Sequence, residues 1–368
     1  MSAASLPRTG NAGFVAGLIG AVVTGGIVVW QLISHGHAAF NATSTGLMWG
    51  LPIVTYDYLL MAAVGLVLVA SLWTVFGLKD FEPMARRATW LAVALLIGGV
   101  AALFLELPYP LRALYAIPLN FQVHAPLFWK MLGIAVFAIC LAMFTFGWLA
   151  GGTSSSPGKA ASVVALLAGL VVLFAGAMMY ATLSMRPFWY SGELPVVFIV
   201  EAVLGAIAFL LLATPMTGAS EAARRAVATM SRLAVVLIVA HLLFLFGRMA
   251  MGLNSNLDGM QVWQRVAASP LFWLQVIALV VALVMLATGA SGSAKRVPAV
   301  LLIVGLFIGK YEFVISGQLV PLFKGTWVLG LIEYAPSATE WLLLAAAAFL
   351  AYAVYAFGAA RYRLGDGR

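Results

Sequence analysis

A single cysteine, Cys140, occurs among the 368 residues, and it lies inside an apolar stretch. One thiol closes no disulfide and cannot hold an iron–sulfur cluster or a cysteine-based metal site. Histidine is nearly as scarce. There are four, and only His241 lies deep in a hydrophobic run. A bis-histidine haem needs two facing histidines within a bundle, and the chain cannot supply them. Charge is the third shortage. Asp, Glu, Lys and Arg together make up 9% of the residues, against about a quarter in a soluble domain. Any redox centre must therefore belong to a partner or be a diffusible ligand.

Long apolar runs are abundant instead. Hydrophobic residues reach 64%, and mean hydropathy is +1.06. Ten runs are long enough to cross a bilayer, at 13–34, 51–78, 88–107, 128–150, 160–183, 194–214, 230–252, 270–288, 297–320 and 338–358. The first lacks a small-residue cleavage site and reads as a retained span. The prediction is an all-α integral membrane protein of ten transmembrane helices, with 1–368 as one membrane domain.

Positive charge sets the orientation. The N-terminus, the even loops and the C-terminus carry thirteen of the basic residues, including Lys79, Arg86, Arg87, Arg224, Arg225, Lys295 and Arg361. The odd loops carry four: Arg112, Arg186, Arg265 and Lys324. Basic residues stay on the cytoplasmic side, so both termini are predicted to be cytoplasmic. The net charge of +8 is an inner-leaflet signal and gives no indication of nucleic acid.

The chain repeats itself. Leu51-Pro52-Ile53-Val54 returns as Leu194-Pro195-Val196-Val197, and Ala85-Arg86-Arg87-Ala88 as Ala223-Arg224-Arg225-Ala226. Pro126-Leu127-Phe128-Trp129 returns unchanged as Pro270-Leu271-Phe272-Trp273. The offsets are 143, 138 and 144 residues. The repeat pairs spans 2–5 (51–183) with spans 6–9 (194–320). Four spans per unit is even, so both units enter the membrane in the same direction, unlike the inverted repeats of many transporters. Two parallel four-helix bundles flanked by spans 1 and 10 are expected. Thr153–Gly158 and Ala287–Ser293 read as short inner turns.

Ionisable groups inside hydrocarbon need a reason. Asp57 lies six residues into span 2, about 9 Å below its outer end, and Glu201 takes the matching place in span 6. Glu106 ends span 3, Arg248 nears the outer end of span 7, Lys310 and Glu312 lie in the outer half of span 9, and Glu340 opens span 10. All are in the outer half. Structurally, Asp57 and Glu201 can pair with Arg248 or Lys310 and fix helix register, and His241 can be a hydrogen-bonded packing residue. Functionally, the set can be a proton path or an ion or substrate site. Outer loop 3 (Pro108–Leu127) carries Tyr109, Arg112, Tyr115, Asn120, Gln122 and His124. Loops 7 and 9 are long. Such a face suits docking of a partner.

The run Leu105-Glu106-Leu107-Pro108-Tyr109-Pro110-Leu111-Arg112 resembles the polysulfide reductase membrane subunit family (NrfD/PsrC-like). Its members carry acid–Leu–Gly–Arg–Pro–x–Arg at this point. Glu106, Pro110 and Arg112 match, and Pro108-Tyr109 replaces the Gly-Arg. Met48-Trp49-Gly50 leading to Asp57, Phe81–Arg86, and Tyr334–Trp341 also agree. Ten spans resemble the hydrogenase-2 membrane subunit type. The resemblance implies a quinone-interacting subunit of a respiratory oxidoreductase in the bacterial cytoplasmic (inner) membrane. It implies no haem or iron–sulfur cluster in the chain, menaquinone or ubiquinone as diffusible ligand, an extracytoplasmic ferredoxin-like iron–sulfur subunit, and a separate catalytic oxidoreductase subunit. It places the quinone among spans 2–5, with Asp57 or Glu106 exchanging protons and Tyr58, Arg112 and His124 contacting the quinone oxygens. Glu201, Arg248, Lys310 and Glu312 then form a proton path or ion pairs. The competing reading is a transporter or ion-conducting protein that uses the outer-half charges as its substrate site.

Overall fold

The computed structural model describes residues 9–42, 47–149, 158–215, 219–289, 292–321, 330–362 and 364. Most of the Thr153–Gly158 turn, the tip of the turn before Lys295, residues 322–329 of loop 9 (Pro321–Pro336) with Lys324, and both extreme termini lie outside them. The described residues are helical, with no strand among them. Ten helical segments have the length and hydropathy to cross a membrane. They are α1 (Thr9–His35), α2 (Leu51–Thr74), α3 (Glu82–Glu106), α5 (Pro126–Met143), α6 (Lys159–Ala181), α7 (Leu194–Ala213), α8 (Glu221–Leu253), α10 (Pro270–Ala287), α11 (Arg296–Ser316) and α12 (Ala338–Arg361). A π-helical stretch, Phe144–Leu149, prolongs α5.

The repeated tetrads turn out to be helix starts. Proline stands in the first turn of α2, α7, α5 and α10, where its fixed φ fits and its missing N–H is not needed. The third tetrad is a structural copy. The Trp129 indole donates to the Val123 carbonyl at 2.8 Å, and the Trp273 indole donates to the Ala267 carbonyl at 2.9 Å. Each indole also packs edge-on against the preceding phenylalanine.

Two short helices, α4 (Pro110–Asn120) and α9 (Leu257–Ala267), occupy corresponding outer loops. The sequence pattern did not anticipate either. They behave differently. α9 buries Val262, Trp263 and Val266 over the helices beneath it. α4 leaves Leu111, Tyr115 and Leu119 exposed.

Neighbour relations repeat as well. α2 packs on α3 and α6, α5 on α6, and α3 touches α5. Likewise α7 packs on α8 and α11, α10 on α11, and α8 on α10. α2 and α7 cross at the centre, and α2 also meets α11 and α12. α12 packs on α3, and α1 packs on α12. Because lipid is as apolar as leucine, such crossings depend on close backbone approach. A Cβ added at Gly65 of α2 would overlap the Ala202 carbonyl of α7. Gly65→Leu should therefore separate the two central helices and destabilise the protein by about 3 kcal/mol. Gly26→Ala, with no atom within 4 Å of the new methyl, should not. Melting temperatures of the purified variants check this; equal values would refute the crossing.

Candidate functional site

Leu51, Glu106, Leu194 and Ala338 lie at one end of the spans, here called the long-loop face. The opposite, basic face carries the starts of α3 and α8. Asp57, one and a half turns into α2, is buried. Its Oδ1 accepts from Lys130 Nζ of α5 at 2.7 Å, and its Oδ2 accepts from the Tyr180 hydroxyl of α6 at 2.6 Å. Lys130 also sits over the Tyr56 ring, 4.9 Å from its centroid. Both oxygens are thus occupied, which is how a carboxylate is kept in a low-dielectric interior. Neither Arg248 nor Lys310 pairs with Asp57. Lys130 lies in the second turn of an apolar helix and reads as an interfacial, snorkelling lysine; the neighbour relation of α5 to α2 is needed to see otherwise.

A second pair joins α7 and α11. Glu201 Oε2 is 2.9 Å from Lys310 Nζ, in ionic contact but without hydrogen-bond alignment. Lys310 stands 3.9 Å over the Phe198 ring. His241 Nδ1 is 3.9 Å from Glu201 Oε1, and its Nε2 is 3.5 Å from the Gln275 amide. Arg248 pairs instead with Glu193 at 3.2 Å and lies among the rings of Phe188, Trp263 and Phe313. Glu312 accepts from Ser269 at 2.6 Å and from Ser316 at 3.3 Å. A cavity of about 30 Å³ joins Glu201, His241, Arg248, Gln275 and Glu312, enough for a water or two.

Aromatic rings connect the two pairs. The Tyr180 ring packs against Trp49, Trp189, Phe198 and Phe313 at 5.0–6.0 Å between centroids. Its hydroxyl holds Asp57 while its ring touches the two phenylalanines under Lys310.

Glu106 closes α3 at the long-loop face. It is half-buried, and its Oε2 has no hydrogen-bond partner among the described residues. It lies close enough to Glu340 for the two charges to interact. Glu340 is fully buried and satisfied. Tyr334 donates to its Oε1 at 2.6 Å, and the Asn41 and Ser337 amides reach its Oε2. Burial first, and then the Glu340 carboxylate, push the Tyr334 hydroxyl above its ordinary pKa, so it stays a donor.

Tyr58 points toward α11, donating to the Ile303 carbonyl at 2.9 Å. Arg112 is exposed and stacks over Tyr109, and His124 is exposed in a turn. No hydrogen bond or ion pair links either to Asp57 or Tyr58 among the described residues. Beside Tyr58 opens an apolar cavity of about 480 Å³, between α2, α3, α7, α11 and α12. No group of three potential metal ligands occurs among the described residues.

These features define a polytopic helical membrane protein whose buried ionisable groups gather toward one face. Residues 40–321 match the family model described as Polysulphide reductase, NrfD, and the chain belongs to that family. Its members are membrane subunits of reductase complexes and interact with quinones. The chain is also similar to a selenate reductase subunit of Mesobacillus selenatarsenatis, with 21% identity over 369 residues, covering 87% of this chain and 86% of that protein.

The Asp57–Lys130 contact generates a stability prediction. Lys130→Met leaves a buried carboxylate without its cation and should cost about 3–5 kcal/mol. Adding Asp57→Asn should restore most of that loss. A double variant no more stable than Lys130→Met alone, by thermal unfolding in detergent, would show that the pair is not coupled.

Proposed function

We propose that this protein is the quinone/quinol-interacting membrane subunit of a respiratory oxidoreductase. It exchanges electrons with an extracytoplasmic iron–sulfur partner and protons through carboxylates near the long-loop face. The observation that carries this reading is the one-sided placement of ionisable side chains. Asp57, Lys130, Glu201, Lys310, Arg248, Glu312, Glu106 and Glu340 all lie toward that face. Toward the basic face, the buried polar side chains in the spans are Arg87 and hydroxyls such as Ser71, Thr89, Thr145 and Ser231. Those hydroxyls bond carbonyls three or four residues back on their own helices. A transporter opening to both sides needs polar lining in both halves. A quinone subunit serving an external partner needs it in one.

Basic loops favour the cytoplasmic side, which supports reading the basic face and both termini as cytoplasmic in a bacterial inner membrane, with the long-loop face turned to the partner. The exposed Leu111, Tyr115 and Leu119 of α4 suit a docking surface, whereas α9 is already folded down. The repeat units, 51–183 and 194–320, are read as superposable parallel bundles, the first being the quinone side. A complex with a catalytic oxidoreductase subunit completes the picture, in keeping with the relative's name as one subunit of a selenate reductase.

Quinol oxidation releases protons together with electrons, so a base must lie within hydrogen-bond reach of the ring hydroxyls. Glu106 has an oxygen to offer. Asp57 has both oxygens engaged and would act through Lys130 and Tyr180. Arg112 and His124, both on the α4 side, are the candidate oxygen contacts from the loop. Tyr58, the third candidate, gives its hydroxyl to the Ile303 carbonyl and lines the apolar cavity, so it would meet the ligand through its ring and not through a quinone oxygen.

Glu106→Gln should lower quinone-linked turnover of the assembled complex about 100-fold or more, with dye-linked activity of the partner unchanged. Asp57 is tested as the neutral pair Asp57→Asn with Lys130→Met, which avoids an orphaned lysine. Normal quinone turnover in both variants would overturn the proton role. Reporter fusions at Arg368 test the sidedness: an extracytoplasmic C-terminus would reverse the assignment of faces.

A further inference from the structure

We propose that the cavity between α2, α3, α7, α11 and α12 holds the polyprenyl tail of the quinone, with the ring above it at a carboxylate–tyrosine cluster formed by Glu106, Glu340, Tyr334 and Tyr311. This rests on the quinone reading above and specifies where that ligand lies.

The helix faces supply the alignment. Glu340 and Leu344 are one turn apart on α12, and Ala351 and Tyr355 continue the same face. Leu344, Ala351 and Tyr355 line the cavity. On α11, Tyr311 stands one turn from Phe307 and two from Ile303, both cavity residues. On α3, Glu106 is eleven residues, three turns, from the cavity residue Leu95. On α2, Leu51 donates its amide to Tyr334 at 2.9 Å, and one turn deeper Thr55 lines the cavity. Four helices thus carry a polar group at the long-loop face and an apolar wall beneath it. The Tyr311 and Tyr334 rings lie tilted beside each other, with centroids 6.4 Å apart.

The occupant follows from size, lining and charge. At about 480 Å³ the space is in the range of a small-molecule site. Its walls are aliphatic and aromatic. The Tyr58 hydroxyl is turned to the Ile303 carbonyl and the Thr55 hydroxyl to the Leu51 carbonyl. Val304 of α11 and Tyr352 of α12, two of the lining residues, are exposed, as expected if the cavity opens toward lipid between these two helices. At the basic end, Arg87 bonds the Ala213 carbonyl and the Tyr355 hydroxyl, and both residues line the cavity. A phospholipid entering from the long-loop face would bring its phosphate to two carboxylates. A neutral ring with hydroxyl or carbonyl oxygens meets an acceptor at Glu106 and a donor at Tyr311, while the Tyr334 hydroxyl is spent on Glu340 and holds that carboxylate in place. That charge pattern favours a quinone over an acyl lipid.

Ala348 lies at the lipid-facing edge of the cavity, and Ala348→Phe would fill it from there without entering the helix packing. In the purified whole complex, turnover is compared for a polyprenyl quinol in proteoliposomes and for a tail-less analogue with the same ring. The ratio of KM for the tailed to the tail-less substrate should rise about tenfold in Ala348→Phe. Ala351→Leu, filling less space, should raise it less. A parallel change in both substrates, or no change in the ratio, overturns the tail site. If the wild-type complex neither oxidises these quinols nor reduces the corresponding quinones, the quinone reading itself fails. Lipid extracted from the complex then decides the cavity. An isoprenoid reduced in Ala348→Phe keeps the assignment, and a phospholipid reduced there overturns it.

Discussion

A carboxylate in hydrocarbon survives only with a counter-charge and a donor for each oxygen, and Asp57 has both. Lys130 comes from α5 and Tyr180 from α6, so the requirement of one side chain on α2 ties three helices together. The tie does not stop there. The Tyr180 ring rests on Phe198 and Phe313, and Lys310 rests on the same two rings while facing Glu201. Two buried ion pairs and one aromatic layer therefore join α2, α5, α6, α7 and α11 at a single level. Below that level, small residues take over: Gly65 lets α2 and α7 meet backbone to backbone.

That level also divides the molecule chemically. The carboxylates gather at and above it, while below it hydroxyls such as Ser71, Thr89, Thr145 and Ser231 are spent on their own helix turns. Quinone chemistry needs such a division. The ring must reach titratable groups near an external electron partner, and the tail must stay in an apolar medium. The carboxylate–tyrosine cluster over the apolar cavity between α11 and α12 offers both along one line. α12 supplies a wall of the cavity and the Glu340 of the cluster, which gives a reason for a span outside the repeated units to pack against both α2 and α3.

Much of this was legible before any coordinates. The ten spans follow from hydropathy, and the repeated Leu-Pro and Pro-Leu-Phe-Trp tetrads mark helix starts because proline fits only the first turn. Asp57 and Glu201 stand out by the expense of placing them where they are. Pairing was not legible. Lys130 looks like an end-of-helix lysine until α5 is known to neighbour α2, and Tyr180 looks like an interfacial tyrosine at the end of α6. The short helices α4 and α9 escape because they lie in loops, and α4 starts at Pro110, two residues after another proline, Pro108. The cavity is invisible in one dimension. It exists because alanines 94, 348 and 351 on two helices happen to face one another, and alanine on a membrane helix otherwise signals only close packing.

The two acids on the first unit show how stability and reactivity are kept apart. Asp57 is the better buried and the fully satisfied one, so removing its partners should be felt first as lost folding energy. Glu106 sits where a helix ends, with one oxygen lacking a hydrogen-bond partner among the described residues. Asp57 is held from two sides instead, by the 2.7 Å contact with Lys130 and by the Tyr180 hydroxyl. The acid with an open acceptor is thus the one at the long-loop face, and the acid that holds helices in register is the one buried beneath it.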